Sequence, residues 1–248
     1  MSEIEKNKQI ITEVVVFSAE GAIDAQKGGA QRVELCENST EGGTTPSIGT
    51  ISIARKHLRI KLFVMIRPRG GDFLYSMNEF AAMQADIEYC KKIGVDGVVF
   101  GILNSNGSVD THRCKMLVSI AKPLSVTFHR AYDRTSNPEK ALEDIILCGF
   151  ERILTSGQKP TAIEGKDLIA NIIKQANGRI IIMPGGGVRK DNVIEIKKRT
   201  GAVEFHTSAR TILKSKMNNP ESSFIESEIL GTDISLLKDF VDTLNELT

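Results

Sequence analysis

Glu34 and Cys36 stand two residues apart at the end of a β-branched run, RVELC (32–36), so a carboxylate and a thiol share one strand face. The same spacing recurs in three later runs, in Met65 with Arg67, Thr127 with His129, and Glu204 with His206. Their neighbours are apolar (Val33 and Leu35, Val64 and Ile66, Val126 and Phe128, Val203 and Phe205), which places the polar and apolar sets on opposite faces. Burying an unpaired charge is expensive. Glu34, Cys36, Arg67, His129, Glu204 and His206 are therefore expected to share one space in which they pair or bind something. A carboxylate (Glu34 or Glu204) beside an imidazole (His129 or His206) suits acid–base catalysis near neutral pH. Paired carboxylates would also suit hydrolysis of a glycosidic bond, with an outcome set by their separation. The Cys36 thiol adds a soft metal ligand.

The segments after these runs carry cations, hydroxyls and glycines. RPRGGDFLYS (67–76) supplies Arg67, Arg69 and Asp72, and HRAYD (129–133) supplies Arg130 and Asp133. ERILTS (151–156) ends in Ser156, PGGGV (184–188) contains Gly185, Gly186 and Gly187, and HTSAR (206–210) carries Ser208. Guanidinium forks match phosphate and carboxylate, and a glycine turn before a helix presents N–H groups to an anion. A small anionic ligand, phosphorylated or sugar-like, is the expectation. The stretch ENSTEGGTTPSIG (37–49) reads either as backbone that approaches such a ligand or as an ordinary long loop.

Positioning these groups at one level requires a regular frame. Eight short β-branched runs recur, at 11–17, 32–36, 62–66, 96–101, 124–129, 151–156, 179–183 and 202–208. Segments of helical period lie between them. Several open on a capping residue (Ser18, Asp110, Asn137, Asp191) and several close on glycine (Gly94, Gly149, Gly201). Strand–helix alternation implies a parallel sheet, and eight units favour a closed (β/α)8 TIM barrel over an open doubly wound sheet. With no internal linker, residues 1–248 read as one domain. Residues 211–248 form a C-terminal extension: a polar loop and an amphipathic helix that caps the barrel or makes an oligomer contact.

Thirty-two Lys and Arg against 31 Asp and Glu leave a net charge of +1, which gives no basic excess for nucleic acid. No apolar run is long enough for a membrane span, and the polar start MSEIEKNKQ lacks a signal core, so a cytoplasmic protein is expected. Cys90, Cys114 and Cys148 show no paired spacing and read as buried packing thiols, while His57 and His112 read as surface residues.

The combination of VELCENSTEGGTTPSIG, VMIRPRGGDFLYS, DGVVFGILNSNGSVD, VTFHRAYD, ERILTSGQ, IIMPGGGV and EFHTSAR resembles the CutC family of copper homeostasis proteins, over about residues 13–211. The resemblance implies a cytoplasmic (β/α)8 barrel that self-associates, hence a homo-oligomer, and a role in handling Cu(I). Cys36 stands where the family motif carries its thiol. The first strand reads VVVFS (14–18), without the second cysteine of some relatives. Cu(I) would then be held by Cys36 with His129 or His206, by Cys36 shared between subunits, or with Met65 as a thioether.

Overall fold

The computed structural model describes residues 10–216 and 229–246. Eight parallel strands lie where the runs place them: β1 Ile11–Val16, β2 Arg32–Leu35, β3 Lys61–Met65, β4 Gly97–Phe100, β5 Ser125–Phe128, β6 Arg152–Thr155, β7 Ile181–Pro184 and β8 Glu204–Thr207. Parallel ladders join them in the order β7-β6-β5-β4-β3-β2-β1-β8. β7 and β8 meet at the seam, where a Cβ on Gly185 would stand 3.1 Å from the Cβ of His206. The result is a nearly closed barrel.

Each strand is followed by a helix: α1 Ala19–Lys27, α2 Ile48–His57, α3 Met77–Ile93, α4 Thr111–Ala121, α5 Pro138–Cys148, α6 Lys166–Ala176, α7 Lys190–Thr200 and α8 Ile234–Asn245. The expected caps hold at Ser18, Asp110 and Asn137, each of which accepts from a backbone N–H in the first turn. At α7 the structure corrects the expectation. The cap position is Arg189, whose N–H donates to the Asn192 side chain, while Asp191 sits inside the first turn. Gly94, Gly149 and Gly201 end their helices in the left-handed region, as expected.

The C-terminal helix is not an added cap. α8 packs between α7 and α1 and buries Leu237, Phe240, Val241 and Leu244, so it is the eighth helix of the ring itself. Gly28 permits this closeness, since a Cβ there would lie 2.8 Å from Leu237 Cδ2. The sequence reading also missed a small antiparallel pair, β9 Arg210–Leu213 with β10 Ile229–Thr232, beside α1. Residues 217–228 of the polar loop lie outside the described residues.

The outward strand residues Val33, Leu35, Val64, Ile66, Val126, Phe128 and Phe205 join the main core beneath the helices. The opposite parity fills the lumen, where Cys36, Phe63, Met65 and Val99 form a separate apolar cluster. Lower in the lumen is an ionic plug. Arg32 bonds Glu13 and Glu204, Arg152 Nε donates to Glu204 Oε2 at 2.6 Å, and both guanidinium groups stack on Phe63, at 4.9 and 5.5 Å. Cys90, Cys114 and Cys148 are buried among the helices, and His57 and His112 are exposed.

Candidate functional site

A cavity of about 770 Å³ opens at the C-terminal ends of the strands. Glu34 from β2, Arg67 just past β3, His129 just past β5 and His206 from β8 all line it. The two other expected members do not. Glu204 opens β8, two residues below His206, and its carboxylate is held by Arg32 and Arg152 in the plug. Cys36 is 1% exposed and lies behind the wall, its Sγ donating to Glu34 Oε2 at 3.7 Å.

The loops hold their charged groups in different ways. Arg67 donates from Nη1 to the carbonyls of Glu41 (2.7 Å) and Gly43 (2.8 Å), and from Nη2 to Gly71 (3.1 Å). That fixes the guanidinium over Phe73, 5.1 Å from the ring centre, and tethers the β2–α2 loop to the mouth. Arg69 and Asp72 pair with each other, and Arg69 also binds Glu79. They brace the β3–α3 loop outside the cavity instead of facing a ligand. Arg130 and Asp133 line the cavity, with Arg130 Nε donating to Asp133 at 2.8 Å and Nη2 to Ser156 Oγ at 2.6 Å. Ser156 is fully buried beneath them and supports Arg130. Gly186, Gly187 and Ser208 line the cavity, whereas Gly185 does not. Gly185 is required by packing, since a Cβ there would stand 2.4 Å from Leu154 Cδ1.

The electrostatics divide the imidazoles into two roles. His206 Nδ1 is 2.8 Å from Glu13 Oε1, and its Nε2 is 3.9 Å from Glu34 Oε2. Burial pulls its pKa down, but the bond to Glu13 and the charges of Glu34 and Glu13 outweigh that and raise it. Burial, with Glu13 nearby, pushes the Glu34 pKa up to about 7 against the favourable charge of His206. Glu34 thus gains and loses its proton near neutrality beside an imidazole held above its ordinary pKa. His129 behaves differently from the expectation of a neutral-pH proton carrier. Burial first, and the Arg67 charge second, push its pKa down to about 3. Its Nδ1 accepts from the Ala131 N–H at 3.2 Å, so the neutral ring carries its proton on Nε2. His129 is a fixed donor.

The CutC family profile matches residues 10–211. The chain belongs to the CutC family. The human protein named copper homeostasis protein cutC homolog is 50% identical over 213 residues, 86% of this chain and 78% of its own. A CutC family protein of Chromobacterium violaceum is 51% identical over 207 residues, 84% of each chain. The crystal structure of a CutC protein from Streptococcus agalactiae superposes with a TM-score of 0.77 at 36% identity, covering 81% of this chain and 99% of that one. The CutC match ends before α8, although α8 completes the ring. No helix among the described residues is long and apolar enough to cross a membrane.

The donor set of this CutC barrel does not fit a resident copper centre. Cu(I) prefers thiolate and thioether ligands. Burial and then the Glu34 charge hold the Cys36 thiol well above its ordinary pKa, so it stays protonated. Among the described residues no group of three or more His, Cys, Asp or Glu side chains is set to hold a metal.

Several functional residues escaped the sequence reading. Glu13, fully buried, orients His206, and the same i, i+2 parity that selected Glu34 would have found it on β1. Arg134, Arg189, Lys190 and Arg210 also line the cavity. Arg189 and Lys190 directly follow the glycine turn, and that adjacency was the available signal.

A pH prediction follows from His129. In the fold the ring is neutral down to about pH 3, whereas in the unfolded chain it charges near its ordinary value of 6.5. The stability it contributes is complete above that pH and is lost as pH falls through the window towards 3. At pH 5 the loss is about 2 kcal/mol. It is measured as the change in urea-unfolding free energy between pH 7.5 and 5, less the same change in His129→Gln. That subtraction removes the contributions of Glu34 and His206 common to both proteins.

Proposed function

We propose that the mouth of this CutC barrel is an acid–base site for a small anionic substrate, with Glu34 and His206 exchanging the proton and guanidinium groups holding the negative charge. One observation carries this reading. Among the described residues four buried side-chain polar atoms have no partner, and three of them, Glu34 Oε1, Arg67 Nε and His129 Nε2, belong to residues lining one cavity. An unmade buried hydrogen bond costs about 1–3 kcal/mol, so three at one place are the mark of a site completed by a ligand. The field agrees, since Arg67, Arg130, Arg134, Arg189, Lys190 and Arg210 face the cavity against only Glu34, Glu41 and Asp133. The test is calorimetric titration with phosphate, sulfate and small carboxylates. They are expected to compete for one site, and Arg130→Ala to weaken binding about tenfold, the loss of one charge-assisted contact. Absence of any anion binding at millimolar concentration would overturn the reading.

A second reading follows the names of the relatives, with Cu(I) as cargo, and it too has an observation in its favour. A Cβ on Gly43 would touch both Cys36 Sγ (3.2 Å) and Met65 Cε (3.7 Å), so the two soft donors lie together behind one loop. Cu(I) binding by this route is expected to be weaker than that of a paired-thiol chaperone and to vanish in Cys36→Ser. Competition against a Cu(I) chelator measures both, and chaperone-like affinity that survives the substitution would remove Cys36 from the account. A reducing cytoplasmic setting and self-association belong to this same proposal.

A further inference from the structure

The cavity has two chemically different ends, and together they specify a class of substrate. One end is built from β2, β3 and β5. There Arg67 spends three of its five N–H donors on loop carbonyls and lies beside the Tyr75 hydroxyl, with Nε unpartnered, and His129 has Nδ1 committed to Ala131, which leaves Nε2–H. Both side chains pack on the Phe73 ring, at 5.1 and 4.8 Å, so these two unpartnered donors belong to one corner. Glu34 lines the same cavity with an unpartnered oxygen, and Arg67, His129 and Glu34 are each at least 95% buried. Two fixed N–H donors beside a carboxylate suit an oxygen on which negative charge develops while a proton is taken from the neighbouring atom.

The other end is built from the β7–α7 turn. Gly186 and Gly187 take positive φ (93° and 71°), and Arg189 and Lys190 follow at the start of an 11-residue helix. A Cβ on Gly186 would stand 3.3 Å from Arg130 Cζ, so that guanidinium lies closely against the turn, whose positive φ favours glycine. Asp191 is exposed and is not part of the cavity lining. Turn, helix start and the cations Arg130 (paired with Asp133), Lys190 (paired with Asp239) and Arg189 match a phosphate dianion.

We propose that the substrate is a phosphorylated hydroxy-carbonyl compound that spans the mouth, with its phosphate at the Gly186–Arg189 side and its carbonyl oxygen between Arg67 and His129. This rests on the acid–base reading above and deepens it. Glu34 takes the proton from the carbon beside the carbonyl. The electrons of that C–H bond become the C=C bond of an enediol, and the carbonyl π pair moves to the oxygen held by the two N–H donors. The proton of the adjacent hydroxyl crosses to that oxygen, and Glu34 returns its proton to the former carbonyl carbon. The product is the isomeric aldose or ketose phosphate, with no other reactant consumed.

The experiment incubates the protein in D₂O with three-, five- and six-carbon aldose and ketose phosphates and with the matching unphosphorylated sugars. NMR reads deuterium at the carbon next to the carbonyl, and calorimetry with inorganic phosphate runs in parallel. Exchange is expected for at least one phosphorylated compound, at least 100-fold slower for its unphosphorylated form, and absent in Glu34→Gln. Arg189→Ala, at the exposed rim, is expected to weaken phosphate binding several-fold while the protein stays folded. Phosphate binding without exchange of any sugar phosphate would overturn this inference and leave the anion site standing. Exchange that persists in Glu34→Gln would overturn the assigned base. Absence of phosphate binding would overturn both readings together.

Discussion

Glu204→Ala is expected to destabilise the barrel by about 3–5 kcal/mol, the usual result of removing one partner from a buried ion pair. Its carboxylate bridges two arginines, binding Arg32 Nη2 at 2.5 Å and Arg152 through Nε at 2.6 Å and Nη2 at 3.2 Å. Arg32 would keep Glu13 and a contact to Met183 Sδ, but Arg152 would retain only Thr127 Oγ1, at 3.3 Å. An almost unpaired guanidinium would then remain inside the lumen, where Arg152 is 6% exposed. Glu204→Gln keeps the volume and some of the hydrogen bonds and should fall between the variant and the parent. Urea unfolding measures all three. Anion binding to the folded fraction should be unchanged, because Glu204 does not line the cavity. A loss below about 1 kcal/mol would show that the plug does not depend on this bridge, and a stable Glu204→Gln protein without activity would return Glu204 to the catalytic role that its spacing from His206 suggested.

That contrast marks where the sequence could and could not be read. Alternation along a strand fixes which face a side chain takes, so it correctly sent Glu34, Arg67, His129 and His206 inward and Val33, Val64, Phe128 and Phe205 outward. It does not fix height. Glu204 and His206 share a face, yet the β1–β8 register pairs Ile11 with Glu204 and Glu13 with His206, which puts one in the plug and the other at the mouth. Register is a non-local property, set by the whole ring closing on itself. The commitment of a charged group is equally invisible. Arg67, Arg69 and Arg130 look alike in sequence, but Arg69 braces a loop, Arg67 keeps an unpartnered Nε and Arg130 lies against the glycine turn. The eight-unit fold was legible because each unit repeats the same local signals. α8 was misread because a segment without an obvious strand precedes it.

Glu34→Gln is the substitution with the largest expected effect on function. The carboxyl is buried, has a pKa near 7 and offers an oxygen with no partner, so near neutral pH it is available as both acid and base. Removing a positioned general base costs about 10²–10⁴-fold in rate. The amide keeps the shape but cannot take a proton, and anion affinity should stay within a few-fold because the substitution removes none of the cations that line the cavity. In the parent, activity that needs ionised Glu34 falls as pH drops through about 7, and the variant should lack that limb. Stability should move the other way. A carboxyl raised from 4.5 to about 7 loses stability as pH rises through that window, because the folded state must give up a proton it holds more tightly than the unfolded chain does. At pH 8 Glu34→Gln is therefore expected to be more stable than the parent by about 3 kcal/mol, and at pH 4 to match it. The ¹³C shift of the Glu34 carboxyl reports the titration directly. A midpoint near 4.5, or a variant destabilised at pH 8, would mean that this carboxylate is a satisfied member of the lumen packing and that the proton chemistry lies elsewhere.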